Sequence, residues 1–382
     1  MPPAIDLPGV PAAARVVVAM SGGVDSSVAA ALLARAGYEV VGITLQLYDH
    51  GEATGREGAC CAGRDIRDAR RVADHLGIPH YVLDFEERFR RAVIEDFAAT
   101  YAAGRTPVPC VRCNERIKFR DMLEVARDLG AVALVTGHYA RRVEGRHGPE
   151  LHRAVDLHKD QSYFLFRTSR EQLAFCHFPL GGLRKAETRE IAAELGLPVA
   201  AKAESQDICF VPDGQHARLV TRLRPEAGKP GEILHADGRR LGRHRGIANY
   251  TVGQRRGLGV ALGERLYVVA IDGGRHRILV GPRSATLSHA VSLGQVNWIG
   301  DGASRQPRSI LAQHRYNTPA VPALLERGEG DVATVRFRSP ESGVAPGQAC
   351  VFYDGSRLLG GGWIAATGVV AGAEPAKPAV PA

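Results

Sequence analysis

Ala19-Met20-Ser21-Gly22-Gly23-Val24-Asp25-Ser26-Ser27 is the stretch that decides the fold. Before it, Arg15–Met20 is a short apolar run that reads as a strand. After it, Asp25–Ala36 carries a helical pattern closed by Gly37. A strand, a glycine turn and a helix in that order make a cradle for an anion. Glycines let the backbone turn sharply and approach a ligand closely. The N–H groups of the turn and of the first helical turn have no partner within the helix, so they can receive phosphate oxygens, assisted by the helix dipole. Ser21, Ser26 and Ser27 add hydroxyl donors. The stretch lacks the Lys of G-x-x-x-x-G-K-[ST], so it is not an ordinary kinase-like phosphate loop. Asp25 is placed either to cap the helix or to hold Mg²⁺ on the phosphates. A capped turn would account for a bare Ser-Gly-Gly, whereas the full string between strand and helix favours phosphate binding.

Outward from this loop the alternation continues. Tyr38–Leu47 reads as a strand, Asp65–Leu76 as a helix stopped by Gly77 and Pro79, and His80–Asp84 as a strand. A helix over Glu86–Ala102 precedes a loop, Gly104–Cys113, then a helix over Asn114–Leu129 and an apolar strand, Ala131–Thr136. Strands separated by helices predict an α/β domain with a doubly wound parallel sheet and ligands at the C-terminal ends of its strands. Past Asp213 the character changes, with Arg224–Gly231 as a boundary. Short strands then dominate: Leu266–Ile271, Ile278–Val280, Asp331–Phe337 and Gln348–Phe352. The expected division is a flexible N-terminus (1–14), a catalytic domain (15–215), a small central β-rich module (216–283), a C-terminal β-barrel-like module (284–370) and a disordered Ala- and Pro-rich tail (371–382).

Hydrophobic residues make up 45% of the 382 and charged residues 24%, the balance of a soluble globular protein. No apolar run approaches the length of a membrane span, and Met1–Ala14 has no basic stretch leading into an apolar segment, as a secretory signal would. Seven cysteines, an odd number in a long chain, argue against a disulfide framework and for the cytoplasm. The net charge of +8 suits a polyanionic partner.

Cys110-Val111-Arg112-Cys113 lies in a loop stiffened by Pro107 and Pro109, ahead of a helix with Asn114 at its cap. A thiol at a helix N-terminus has its thiolate stabilised, and Arg112 and Arg116 add positive charge, which makes Cys113 a candidate nucleophile. Cys209, in Ser205-Gln206-Asp207-Ile208-Cys209-Phe210, is distant in sequence. Two thiols meeting at a nucleotide site suit persulfide chemistry. The lack of a second C-x-x-C argues against a closed four-Cys zinc site. Cys110, Cys113 and Cys209 together are also a ligand set for an iron–sulfur cluster with one open iron, and the sequence does not choose between the two. Cys176 and Cys350 read as core fillers, and Cys60-Cys61 is ambiguous.

The phosphate stretch resembles the loop of the ATP pyrophosphatases, and the chain as a whole resembles the tRNA-specific 2-thiouridylase (MnmA) family. The likeness runs from about Arg15 to Ala366. It is carried by residues 19–27, 104–114, Thr136-Gly137-His138-Tyr139, 159–165, Ser205–Phe210, Thr251-Val252-Gly253-Gln254-Arg255-Arg256-Gly257-Leu258-Gly259 and Arg336-Phe337-Arg338-Ser339-Pro340. The resemblance implies ATP-dependent thiolation of the wobble uridine, position 34, of tRNAs for Lys, Glu and Gln. The C2 oxygen is adenylated and sulfur then replaces it. Also implied are Cys113 and Cys209 as catalytic residues, ATP with Mg²⁺, a cysteine desulfurase or relay protein as sulfur donor, and a [4Fe-4S] cluster as the alternative to a persulfide. By position, Ala19, Met20, Ser21, Gly22, Gly23, Val24, Asp25, Ser26, Leu45 and Gly137 would contact ATP. Lys159, Asp160, Gln161, Arg315 and Tyr316 would contact tRNA, with Val108, Pro109 and Cys110 at the target base. A monomer is expected.

Two positions depart from the family pattern. Some members carry Asp where Cys110 stands, and Asn is common at Val108. Without the resemblance, Lys159-Asp160-Gln161 would read as a solvated turn, His138 as a hydrogen-bonded strand-end histidine, and Arg315 and Tyr316 as surface residues. Two other readings compete. A small-molecule ligase with the same ATP loop would not need the cysteines, and a noncatalytic RNA-binding module would not need the loop.

Overall fold

A buried run of β-branched residues, Val16, Val17 and Val18, each fully shielded from solvent, makes β1 (Arg15–Ala19) a central strand. The computed structural model describes residues 5–48, 61–204, 208–211, 214–260, 263–300 and 306–368. They form two compact units, one of residues 5–93, 110–211 and 356–358, the other of 94–109, 214–355 and 359–368.

In the first unit β1 lies between β2 (Glu39–Gln46) and β4 (Ala133–Thr136), with β3 (His80–Asp84) outside β2. A polar hairpin, β5 (Ala140–Gly145) and β6 (Gly148–Arg153), follows, and the two-residue strand β7 (Cys176–His177) completes the order β3-β2-β1-β4-β7, all parallel. The helix α1 (Val24–Arg35) buries Ala29, Ala30 and Ala31, small side chains that let it lie close on the sheet. Ala69, Val72 and Ala73 from the helix Cys61–Leu76, and Ile191 and Ala192 from the helix Lys185–Glu194, share that core. This is the expected α/β parallel sheet, and no described helix is long and apolar enough to cross a membrane.

Two helices differ from expectation. The run from Glu86 is α-helical to Phe89, widens into a π-helix over Arg90–Ile94 and returns to α over Glu95–Ala102. The expected loop ending at Cys113 is helical over Pro109–Cys113, with the proline in the first turn where it forfeits no hydrogen bond. That helix runs directly into a π-helix, Asn114–Asp121, and then α-helix, Met122–Asp128.

The second unit is β-rich, as anticipated. β8 (Gly231–His235), β9 (Arg240–His244), β10 (Tyr267–Asp272) and β11 (Arg277–Gly281) form a sheet in the order β10-β11-β8-β9. β12 (Leu287–Trp298), β13 (Arg308–Gln313), β14 (Val321–Arg327), β15 (Ala333–Ser342), β16 (Ala349–Asp354) and β17 (Arg357–Gly368) follow in the order β12-β15-β14-β13-β16-β17. β12 also pairs with β17, which closes a barrel. Its interior holds Val291, Ile310, Leu325, Val335, Phe352 and Cys350, so Cys350 is the core filler anticipated. Cys176 is likewise fully buried.

His177 on β7 is 3% exposed, and burial, then Arg142, pushes its imidazole down to about 4. As pH falls the unfolded chain takes up this proton first. The neutral ring therefore contributes fully above about 6.5, and the contribution is lost on descending to about 4, roughly 3 kcal/mol in all. Thermal unfolding midpoints are expected to fall across that window, and His177→Phe should flatten the profile there. An unchanged slope in the variant would rule His177 out as the source.

Candidate active site

The ten residues anticipated for ATP, Ala19–Ser26 with Leu45 and Gly137, gather at the C-terminal edge of β1, β2 and β4. Met20 is tied to β2 by its N–H, which donates to the Ile43 carbonyl at 2.8 Å. Gly22 has φ +72°, and a Cβ there would stand 2.1 Å from the Asp65 carbonyl oxygen. Gly137 is required by close approach, since its Cβ would lie 2.8 Å from the Ser26 nitrogen in the first turn of α1. The serines brace the loop from within. Ser27 Oγ donates to the Gly23 carbonyl at 2.8 Å, and the Ser21 N–H donates to Ser26 Oγ at 3.1 Å.

Asp25 does not cap α1, whose N-cap is Gly23 with no side-chain bond. Its carboxylate accepts instead from Lys185 Nζ at 2.6 Å and from the Tyr139 hydroxyl at 2.9 Å. Burial, then the Asp25 charge, raises the Tyr139 phenol far above its ordinary range, so it stays a donor. Lys202 Nζ reaches the loop from another direction, donating to the Gly22 carbonyl at 2.9 Å, Asp65 at 2.7 Å and Asp68 at 2.5 Å. Burial pulls this ammonium down, but the bonds to Asp65 and Asp68 outweigh it and leave it raised.

The cysteines correct one expectation. Cys113 sits at the end of a helical turn that continues into the π-helix, so no free N-terminus faces it, and Asn114 spends its amide on the Phe164 carbonyl at 3.2 Å rather than on a cap. Burial raises the Cys113 thiol instead of lowering it. Cys110 and Cys209 reach solvent, but protein surrounds the rest of each. Desolvation, then Cys113, pushes Cys110 up to about 11, and desolvation, then Cys113 and Cys110, pushes Cys209 up to about 12. A hydrogen bond with Tyr48 partly offsets the rise at Cys209.

These mutual influences gather the three thiols, and one cation opposes the rise at all of them: Lys118. The wider i→i+5 turn of the π-helix brings residues five apart toward one face, which turns Lys118 back toward Cys113. His138, just past β4, is held neutral by burial, then by Lys118, and shares a 2.7 Å hydrogen bond with Thr136 Oγ1. Among the described residues no three His, Cys, Asp or Glu side chains converge as a metal requires. As placed, Cys110, Cys113 and Cys209 do not form the tripod of a cluster.

The residues anticipated for tRNA have varied surroundings. Lys159 Nζ pairs with Glu204 at 2.6 Å. Asp160 is 7% exposed and organises its own turn, accepting from the Ala154 and Ser162 N–H groups at 3.0 and 3.1 Å and from Ser162 Oγ at 2.9 Å. Gln161 is tied to Tyr139, its Oε1 accepting from the Tyr139 N–H at 2.9 Å. Val108 and Pro109 are buried, so of the three residues expected at the target base only Cys110 is open. In the second unit Arg315 and Tyr316 occupy the turn after β13, with Arg315 Nη2 donating to the Gly343 carbonyl at 3.0 Å. Cys60 and Ser205–Asp207 lie outside the described residues, and Cys61 opens a helix.

Comparison with known proteins accords with this arrangement. The family model described as a tRNA methyl transferase HUP domain matches residues 14–213, a PRC-barrel domain model of the same series matches 219–282, and an aminomethyltransferase β-barrel domain model matches 288–364. The chain is 60% identical over 375 residues to the tRNA-specific 2-thiouridylase MnmA of Parvibaculum lavamentivorans, covering 95% of this chain and 94% of that one. It is 57% identical over 364 residues to the protein of that name from Paracoccus denitrificans, covering 94% of each. To that of Brucella ovis it is 58% identical over 369 residues, covering 94% and 92%. With identity at this level along nearly the whole length, the chain belongs to the tRNA-specific 2-thiouridylase family.

Proposed function

We propose that this chain carries out ATP-dependent thiolation of a tRNA uridine, the reaction named for its relatives, by adenylation followed by persulfide transfer. The observation that carries the reading is the thiol cluster of Cys110, Cys113 and Cys209 in the same unit as the ATP loop. A ligase acting on small molecules would need only the loop.

ATP lies along the C-terminal edge of β1, β2 and β4, its phosphates on residues 21–26 and the dipole of α1. Asp25 is the carboxylate suited to carry Mg²⁺, which supplies charge neutralisation on the phosphates. The wobble uridine is unstacked to reach this edge. Its C2 oxygen attacks the α-phosphorus and pyrophosphate leaves. The terminal sulfur of a Cys209 persulfide then attacks C2 and AMP departs with the oxygen. Cys113 next attacks the Cys209 sulfur, which forms a Cys113–Cys209 disulfide and frees the 2-thiouridine. A thiol reductant reopens that disulfide. Lys118 offsets the desolvation of each thiolate as it forms. tRNAs for Lys, Glu and Gln as substrates, a cysteine desulfurase or relay protein as donor, and a cytoplasmic monomer complete the reading.

The test is an anaerobic thiolation assay with tRNA and ATP, run with sulfide or with a desulfurase, alongside iron analysis. Iron-free protein that needs the desulfurase and both Cys113 and Cys209 is the expected result. Activity with sulfide that tracks bound iron would replace the persulfide with a cluster held by Cys110, Cys113 and Cys209. No thiolation in either arm would overturn the proposal.

A further inference from the structure

The ATP loop contains no lysine, yet the reaction drives negative charge onto the departing pyrophosphate, and such charge needs a preorganised cation. Two ammonium groups from later in the chain reach the loop. Lys202 has directed hydrogen bonds to three protein acceptors, Gly22, Asp65 and Asp68, as many as an ammonium has protons. It is fully committed to holding Gly22 against the helix Cys61–Leu76. Lys185 differs. Its side chain is 11% exposed, and Nζ meets Asp25 at 2.6 Å and Glu204 at 3.3 Å, with the Tyr139 ring 5.5 Å away. One partner, Asp25, is the residue suited to Mg²⁺. The other, Glu204, is shared with Lys159 at 2.6 Å and Arg189 at 3.6 Å, so it keeps cationic partners if Lys185 turns away.

We infer that Lys185 is a catalytic residue for the leaving group: with ATP in place its ammonium turns from Asp25 onto the β- and γ-phosphates, and Asp25 would then be free to hold Mg²⁺, which would neutralise phosphate charge. Lys202 is a positioning residue that fixes the loop. The bond broken is that between the α-phosphorus and its bridging oxygen to the β-phosphate, whose electron pair leaves with pyrophosphate. Lys185 stabilises that charge by hydrogen bonding and gives up no proton. The backbone supports this placement. The Lys185 N–H donates to Asp156 at 3.1 Å, and the Tyr139 hydroxyl joins Asp25 at 2.9 Å to Thr188 Oγ1 at 3.0 Å on the same helix. Lys185 is therefore held over the loop by elements independent of the nucleotide.

The inference rests on the adenylation reading, so its test separates the two. Wild-type protein, Lys185→Gln and Lys185→Arg are compared for inhibition of ATP-dependent pyrophosphate release by two probes, inorganic pyrophosphate and AMP, and for kcat and KM for ATP. The glutamine amide can still donate to Asp25, which guards the fold. Expected for Lys185→Gln are a kcat lower by about 10²–10³-fold, as on removing one oxyanion donor, and a pyrophosphate inhibition constant raised at least about tenfold. Its AMP constant should stay within about twofold, and Lys185→Arg should recover most of both losses. Equal weakening of AMP and pyrophosphate, or no change in either, would overturn the assignment of Lys185 while leaving adenylation intact. Wild-type protein that neither binds ATP nor releases pyrophosphate would overturn both readings.

Discussion

Cys209→Ser is expected to lower thiolation by at least about 10³-fold, because a serine hydroxyl cannot carry a sulfane sulfur and loss of a nucleophile costs on that scale or more. tRNA affinity should change by less than about twofold, and ATP-dependent pyrophosphate release should persist, because the loop proposed for ATP is built from residues 19–26 and not from the cysteine segment. Cys113→Ser should fail later in the sequence. Sulfur reaches C2 but cannot be released, so tRNA accumulates on the protein through Cys209 in a linkage that reductant cleaves. A denaturing gel of labelled tRNA with and without dithiothreitol distinguishes the two variants. A tenfold loss of tRNA affinity in Cys209→Ser would argue for a binding role instead, and absence of the covalent species in Cys113→Ser would remove Cys113 from the release step.

Gly22→Ala is expected to cost about 2–5 kcal/mol of stability and to weaken ATP binding at least about tenfold. Two effects combine. A φ of +72° strains any L side chain by about 1–2 kcal/mol, and the new methyl would press on the Asp65 carbonyl, an overpacking of about 1–3 kcal/mol. Relief requires the loop to part from the helix Cys61–Leu76, which also breaks the Lys202 bond to the Gly22 carbonyl. Gly37 supplies the control. It has φ +85° with nothing within 4 Å of its Cβ position, so Gly37→Ala should show the strain alone, with ATP binding intact. Thermal melts and calorimetric ATP titrations read both quantities. Equal effects in the two variants would mean that the contact with Asp65 contributes nothing.

The parallel sheet was legible because β1 and β2 are buried, β-branched runs and β4 a buried apolar one, beside glycine-marked helices, whereas two-residue β7 left no pattern to read. The hairpin β5–β6 was not legible. Arg141-Arg142-Val143-Glu144 shows no alternation, since half-buried arginines there use backbone carbonyls as partners, as Arg141 does with Arg153 at 2.8 Å. Most residues expected to meet ATP form one string, but Lys185 lies 160 residues from the Asp25 it meets, and no local pattern announces such a pair. The proposed sulfur site was half legible. Thiol spacing pointed to Cys110 and Cys113, whereas their electrostatics were misjudged because a π-helix leaves no compositional mark and burial cannot be read from a loop. The one available clue to Lys118 was a lone ammonium between Ile117 and Phe119, both buried.

The closed barrel carries a consequence for synthesis. β12 is the first of its strands to leave the ribosome, yet its second neighbour, β17, is the last described strand of the chain. Until β17 emerges, one flank of β12 and one of β16 stand as unpaired edges, which recruit other strands and are the usual route to aggregation. A messenger truncated within the final dozen codons of that strand would therefore yield a product with an intact ATP loop and an open barrel. Such a chain would be lost to proteolysis or inclusion before its catalytic half could act.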